Sequence, residues 1–194
     1  CTLATCKPNI RAGAQIGDWV VATGSKSKGQ AGKLVYAMQV SEALTFDAYW
    51  NDPRFACKRP VANGSLKQVY GDNIYHRGAR GWVQADSHHS FPGGRPNPAN
   101  VQRDTKTDRV LVGHRFVYFG AKPLSVPERL RRLPGSGEDL CCPGRNHRVG
   151  GESMVQELEA WLDDLDQWGV QGLPAAFAKH RRATVSPLRR AGAR

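Results

Sequence analysis

Methionine occurs only twice in the 194 residues, aromatic side chains make up 8%, and nothing approaches the run of about 18 apolar residues that a membrane span needs. No membrane partner is therefore expected. The basic-then-apolar pattern of a secretory leader is also missing, which points to the cytoplasm, although the chain opens at Cys1 rather than Met. The five cysteines, at positions 1, 6, 57, 141 and 142, form no even, regularly spaced framework, so a reducing compartment is expected. Cys141 and Cys142 with His147 lack both the C-x2-C spacing and the four convergent ligands of a structural zinc site. No metal and no other cofactor is expected. Walker A, a Gly-x-Gly-x-x-Gly after a strand, Gly-x-Ser-x-Gly and His-Glu-x-x-His are all lacking, which disfavours a standard NTPase, a Rossmann enzyme, a serine hydrolase and a zincin. There is no internal repeat.

What the chain has in excess is positive charge. A net +11 favours polyanionic partners, namely nucleic acid or phosphates. Residues 179–194 carry six bases and no acid, while residues 152–166 carry six acids and no base, so the first 151 residues hold the surplus. The hydrophobic share of 40% is that of a globular protein. The expected organisation is one domain over residues 1–178, followed by a basic disordered tail over 179–194.

Local signals describe an α+β chain. Strands are expected at 1–6, after the Ile16-Gly-Asp turn through Ala22, over Lys33 to Val40, over Val69 to Tyr75, at Trp82 and over Asp108 to Phe119. Thr45 reads as the N-cap of a short helix that carries Phe46, Tyr49 and Trp50 and ends at Pro53. Another short helix is expected over Pro127 to Leu133. Met154, Val155, Leu158, Trp161, Leu162 and Leu165 recur at helical spacing and predict an amphipathic C-terminal helix over 153–168.

Four polar clusters could carry chemistry. Lys7 and Arg11, together with the Thr23-Gly24-Ser25 loop and its backbone N–H groups, suit an anion. Asp72 and Asn73 offer hydrogen-bonding edges that match nucleobase donors and acceptors, and Tyr75 offers a stacking face. His88 and His89 next to Asp86 offer acid and base near neutral pH. On a strand the two rings would face opposite sides, a limit that a loop removes. Asp104 could orient a histidine or cap the turn that follows it. Ordinary turns, solvated bases and a polar corner also account for each cluster taken alone.

Taken in order, Ala4-Thr-Cys-Lys-Pro-Asn-Ile-Arg11, Gly17-Asp-Trp-Val20, Leu34-Val-Tyr-Ala-Met38, Phe46-Asp-Ala-Tyr-Trp50, Tyr70-Gly-Asp-Asn-Ile-Tyr75, Asp86-Ser-His-His-Ser90, Asp104-Thr105, Val110-Leu111 and Tyr118-Phe-Gly120 resemble the nucleotide modification associated domain 2 family. That family implies work beside nucleotide-modifying systems of bacteria or phages, without naming a reaction. The opening is also similar to PUA-like and EVE-like base-reading domains, which implies a mixed β-sheet closing into a partial barrel around a base pocket. The arginine-rich C-terminus and the loop Arg95-Pro-Asn-Pro98 depart from the family pattern.

The first expectation is a binder of a nucleotide or modified nucleobase. In it Lys7, Arg11 and Thr23-Gly24-Ser25 meet phosphate, Asp72, Asn73 and Tyr75 read the base, and His88 or His89 closes the site. The alternative is an enzyme acting on a nucleotide or nucleobase, with His88 or His89 as general acid/base oriented by Asp86 or Asp104. A third reading is an assembly module whose acidic helix docks a nucleic-acid-modifying enzyme.

Overall fold

The computed structural model describes residues 1–141 and 147–177; the expected tail at 179–194 and Cys142 lie outside the described residues. In chain order the first elements are β1 (Thr2–Leu3), α1 (Pro8–Gly13), β2 (Trp19–Thr23), β3 (Lys33–Gln39), β4 (Glu42–Leu44), α2 (Phe46–Asn51), α3 (Leu66–Val69), β5 (Tyr75–Gly78) and β6 (Gly81–Gln84). They are followed by α4 (Pro98–Asp104), β7 (Val110–Val112), β8 (Phe116–Tyr118), β9 (Leu124–Ser125), α5 (Glu128–Arg131), α6 (Glu152–Leu165) and β10 (Gly169–Val170). The chain forms two compact units. Among the described residues, one holds 1–21, 37–116 and 147–149, and the other holds 22–36, 117–141 and 150–177.

The first unit is built on β7. Val110, Leu111 and Val112 are all buried, as a strand paired on both edges requires, and β1 and β4 flank it antiparallel. Ala4, Phe46, Tyr49, Phe55, Ile74, Tyr75, Val110 and Val112 form its core. Phe46 meets Tyr75 and Trp82 edge-on, each at 5.5 Å between centroids. The helix that delivers Phe46 and Tyr49 starts where the Thr45 hydroxyl accepts from the Ala48 N–H at 3.1 Å. It stops ahead of Pro53, where the chain tightens into a 3-10 turn over Pro53–Lys58. Strands β5 and β6 pair separately as a hairpin.

In the second unit, α6 buries Met154, Leu158, Trp161 and Leu162, and Arg129 on α5 reaches Glu157 (3.4 Å) and Asp164 (3.6 Å). The longest sheet has the order β10-β8-β3-β2, with β10 parallel to β8 and β9 joined antiparallel to β3.

The mixed α+β character stands, but the expected PUA-like partial barrel does not. Among the described residues the sheets, of three, five and two strands, are all open. Closure needs long tilted strands whose first and last members pair. Here β1, β9 and β10 are two residues each, too short to carry such a ladder. The segment expected as a strand from Val69 is diverted as well. Ser65 and Gln68 form a capping box, so the chain coils into α3 before β5 starts at Tyr75.

Candidate active site

The strand expected over residues 1–6 ends at Leu3 because the backbone then turns left-handed at two successive non-glycine residues, Cys6 (φ 56°) and Lys7 (φ 42°). Each such residue costs on the order of 1–3 kcal/mol and persists only where its surroundings enforce it. Two neighbours do so here. The Cys6 N–H donates to Asp104 Oδ1 at 3.0 Å. Arg11, one turn into α1 and fully buried, donates Nε to the Cys6 carbonyl (3.0 Å), Nη1 to the Thr107 (3.1 Å) and Arg109 (2.6 Å) carbonyls, and Nη2 to the Asp104 carbonyl. Pro8, preset for a first helical turn, fixes the direction in which the chain leaves.

Asp104 arrives at the end of α4, whose start is capped by Asn97. Its side chain has no exposed surface. Besides the Cys6 N–H, it accepts from the Tyr75 hydroxyl (Oδ2, 2.8 Å), from Arg103 Nε (Oδ1, 2.9 Å) and from Arg103 Nη2 (Oδ2, 3.3 Å), and His89 Nδ1 lies 2.8 Å from Oδ2. His89 sits on a tight turn, not a strand. Ser87 and Ser90 cross-bond that turn, and Asn100 Nδ2 (2.7 Å) and Gln84 Nε2 (3.2 Å) hold the His89 carbonyl. Gln84 also donates to the Tyr75 hydroxyl at 3.1 Å. Ligand atoms of Cys6, His89 and Asp104 all lie within 4.8 Å of one another.

The electrostatics follow from these contacts. Bonds to Asp104 and then to Cys6 raise His89 to about 9. The bond to His89 lowers the Cys6 thiol against the opposing effect of burial. Burial pushes the Asp104 carboxyl up, but the bonds from His89, Arg103 and Tyr75 outweigh it and hold the group well below the usual carboxylate range. At neutral pH the arrangement is therefore a carboxylate, an imidazolium and a thiol that gives up its proton more readily than an ordinary cysteine. Three such side chains match the donor types and spacing of a metal site. Asp104, however, already takes five hydrogen bonds, and an arginine sits on its carboxylate, so a cation there would have to displace existing partners.

A family model described as "Nucleotide modification associated domain 2" matches residues 1–181. The chain belongs to that family. Comparison with curated proteins and with solved structures gave no match. For a member of this family, the placement of the residues expected from sequence divides in two. His88, His89, Asp104 and Tyr75 come together. The His88 and His89 rings are T-shaped at 4.5 Å, and His88 also leans on Tyr70 at 5.2 Å. Partial burial and then His89 lower the His88 ring, so the two neighbouring imidazoles are driven apart. Asp72 is near enough to act on His88 electrostatically, and it accepts from Tyr49 Oη (2.8 Å) and Thr2 Oγ1 (2.5 Å), with Lys58 Nζ at 3.8 Å.

The other expected residues are placed differently. Asn73 is fully buried, its Nδ2 on the Tyr49 and Phe55 carbonyls. Asp86 is exposed and accepts from Ser90 Oγ at 3.2 Å. Arg11 is inside, with donors spent on carbonyls, while Lys7 is exposed. Thr23, Gly24 and Ser25 belong to the second unit, where with Lys28, Gln30 and Tyr118 they line a cavity of about 190 Å³. Sequence reasoning missed Cys6 and Arg103. The available signal was Cys6-Lys7-Pro8, a thiol two residues ahead of a helix-starting proline. Among the described residues no helix is long and apolar enough to cross a membrane.

Proposed function

We propose that this protein is an enzyme of nucleotide modification that works by covalent catalysis at Cys6, with His89 as general acid/base and Asp104 as the group that orients it. The observation carrying this reading is a cysteine held in left-handed backbone against a histidine–aspartate pair, the nucleophile–base–orienter relation that covalent catalysis needs. Family membership, which carries an association with nucleotide modification, supports a nucleotide or nucleobase as the substrate class.

In the first step Sγ attacks an electrophilic carbon and forms an S–C bond as the bond to the leaving atom breaks. His89 gives its proton to that leaving atom and becomes neutral. In the second step His89 takes a proton from water or an acceptor hydroxyl or amine, which attacks the same carbon and releases Cys6 as thiolate. Asp104 keeps its charge throughout and stabilises the imidazolium. The Tyr70–His88 pair adjoins His89, with Asp72 acting on His88, and would contact the base. A pure recognition domain has no use for a strained, activated thiol, so catalysis is favoured over binding alone.

The pH profile of iodoacetamide alkylation, read by peptide mass spectrometry, tests this. Cys6 should react below pH 7 at least about tenfold faster than the exposed Cys57, an advantage lost in His89→Ala. Equal rates at the two thiols would remove the basis for a nucleophile. Incubation with nucleotide pools should leave a mass adduct on wild type that Cys6→Ser lacks.

A further inference from the structure

We propose that Arg103 is the anion-binding residue of this site, its outward guanidinium edge holding a substrate phosphate beside the Cys6 sulfur. The proposal rests on Cys6 being the reacting group. The carboxylate of Asp104 is already served by three other donors, the Cys6 N–H, the buried Tyr75 hydroxyl and the half-buried His89 ring. Arg103 is not needed to satisfy it, yet Arg103 lies across both carboxylate oxygens with Nε and Nη2. That contact pins one edge of a planar, five-donor fork. Nη2 also donates to Cys6 Sγ at 3.8 Å, so its hydrogens go to Asp104 and the sulfur, while Nη1 has no hydrogen-bond partner among the described residues. The side chain remains 46% exposed, so the unpinned edge is open to a ligand.

A guanidinium held in this way loses little further freedom on binding and offers the two N–H donors of Nη1 to phosphate oxygens, next to the sulfur that Nη2 already faces. The local charge favours an anion as well. Arg11, Arg103 and the His89 imidazolium are three cations around the Asp104 carboxylate and the Cys6 sulfur. A phosphate on Arg103 would sit within a few ångströms of the sulfur. The substrate class thereby narrows to nucleotides or strands whose reacting carbon lies close to a phosphate, and free bases and nucleosides are excluded.

Charged and neutral alkylating probes separate this proposal from the one beneath it. On wild type, iodoacetate should gain on iodoacetamide at Cys6 relative to Cys57. Arg103→Gln should cut that preference roughly tenfold while iodoacetamide alone still finds an activated thiol. Arg103→Lys, which keeps the charge but not the fork, should fall between. If iodoacetamide reacts selectively at Cys6 and the iodoacetate preference is the same in Arg103→Gln, Arg103 is not an anion site and the nucleophile stands. Calorimetry on the intact chain gives a readout independent of thiol chemistry. The four deoxynucleoside 5′-monophosphates should bind wild type at least about tenfold more tightly than the corresponding nucleosides, with the difference lost in Arg103→Gln. Equal affinity for nucleosides and monophosphates would overturn the proposal. An oligonucleotide without terminal phosphates, run alongside, distinguishes recognition of a strand's phosphodiester from that of a free monoester.

Discussion

Asp104 stays ionised in a fully buried position because its two oxygens accept from five donors, and the same bonds set the protonation of everything around it. His89 binds its proton more tightly folded than unfolded, about 9 against the ordinary 6.5. By itself it therefore stabilises fully below pH 6.5, and that contribution is lost as pH rises through 9. Cys6 runs the other way. With its folded value lowered below 9.0, its contribution is full above pH 9 and is lost as pH falls through the folded value. From the folded value of Cys6 up to pH 9 the two slopes oppose each other, since moving a proton from thiol to imidazole changes no total. The wild-type melting temperature should accordingly vary less across that span than that of Cys6→Ser, which keeps the His89 slope alone and should fall steadily with pH. Identical profiles would mean that the thiol and the ring do not share a proton. Removing the carboxylate is a harsher test. Asp104→Ala strands a tyrosine hydroxyl, a backbone N–H and two cationic groups, and should cost about 3–5 kcal/mol in urea unfolding.

At the scale of elements, three helices (α2, α5 and α6) and the longer strands were legible because each carries its own local signal, whereas α1, α3 and α4 were not expected. The Thr45 cap, the helical spacing from Met154 to Leu165 and the apolar run of β3 place α2, α6 and β3 to within a few residues. Some misses fall where a long-range contact overrides local preference, and others, such as the Ser65–Gln68 capping box of α3, are local signals that were overlooked. Residues after Leu3 read as strand, yet the side chains of Arg11 and Asp104 bend them left-handed, and no window of five residues contains that information. Arg11→Leu should therefore leave four carbonyls unserved and destabilise by roughly 3–5 kcal/mol, more than the loss of a surface arginine that contacts phosphate. An unchanged unfolding midpoint would show that Arg11 is not the staple of this turn. Gly71 is a second such place. A Cβ there would lie 2.3 Å from the Lys58 carbonyl oxygen, which also accepts from the Asn73 N–H at 3.0 Å. Gly71→Ala should push the 58–60 segment away, cost about 1–3 kcal/mol, and shift the Asp72 network that Lys58 joins. Urea unfolding with chemical shifts at Thr2 and Tyr49 reads both effects.

For the molecule as a whole, the grouping of residues in the candidate site was half legible. The clusters around His88, His89, Asp104 and Tyr75 stood out as polar groups inside turn-like segments, and they do converge. The charge of a residue, however, says nothing of its burial, so Arg11 read as a phosphate contact while the half-exposed Arg103 beside the thiol passed unnoticed. The net charge is a different matter, because it acts at long range whatever the fold. Nucleic acid should be retained nonspecifically through phosphate contacts, with affinity falling linearly in log salt by about 0.7–0.9 per contact. Deleting 179–194 removes six bases and no acid, taking the net charge from +11 to +5. If these bases make phosphate contacts, as their density and lack of acids favour, the salt slope for a random single strand should flatten by several units and affinity at low salt should drop with it. Thiol alkylation at Cys6 and monophosphate affinity should be unchanged, because every group of the site lies within residues 1–116. Fluorescence titration of a labelled strand at four salt concentrations measures the slope. A slope unchanged by the deletion would assign strand retention to the rest of the basic surface, and a loss of monophosphate binding would place the C-terminal segment in the site itself.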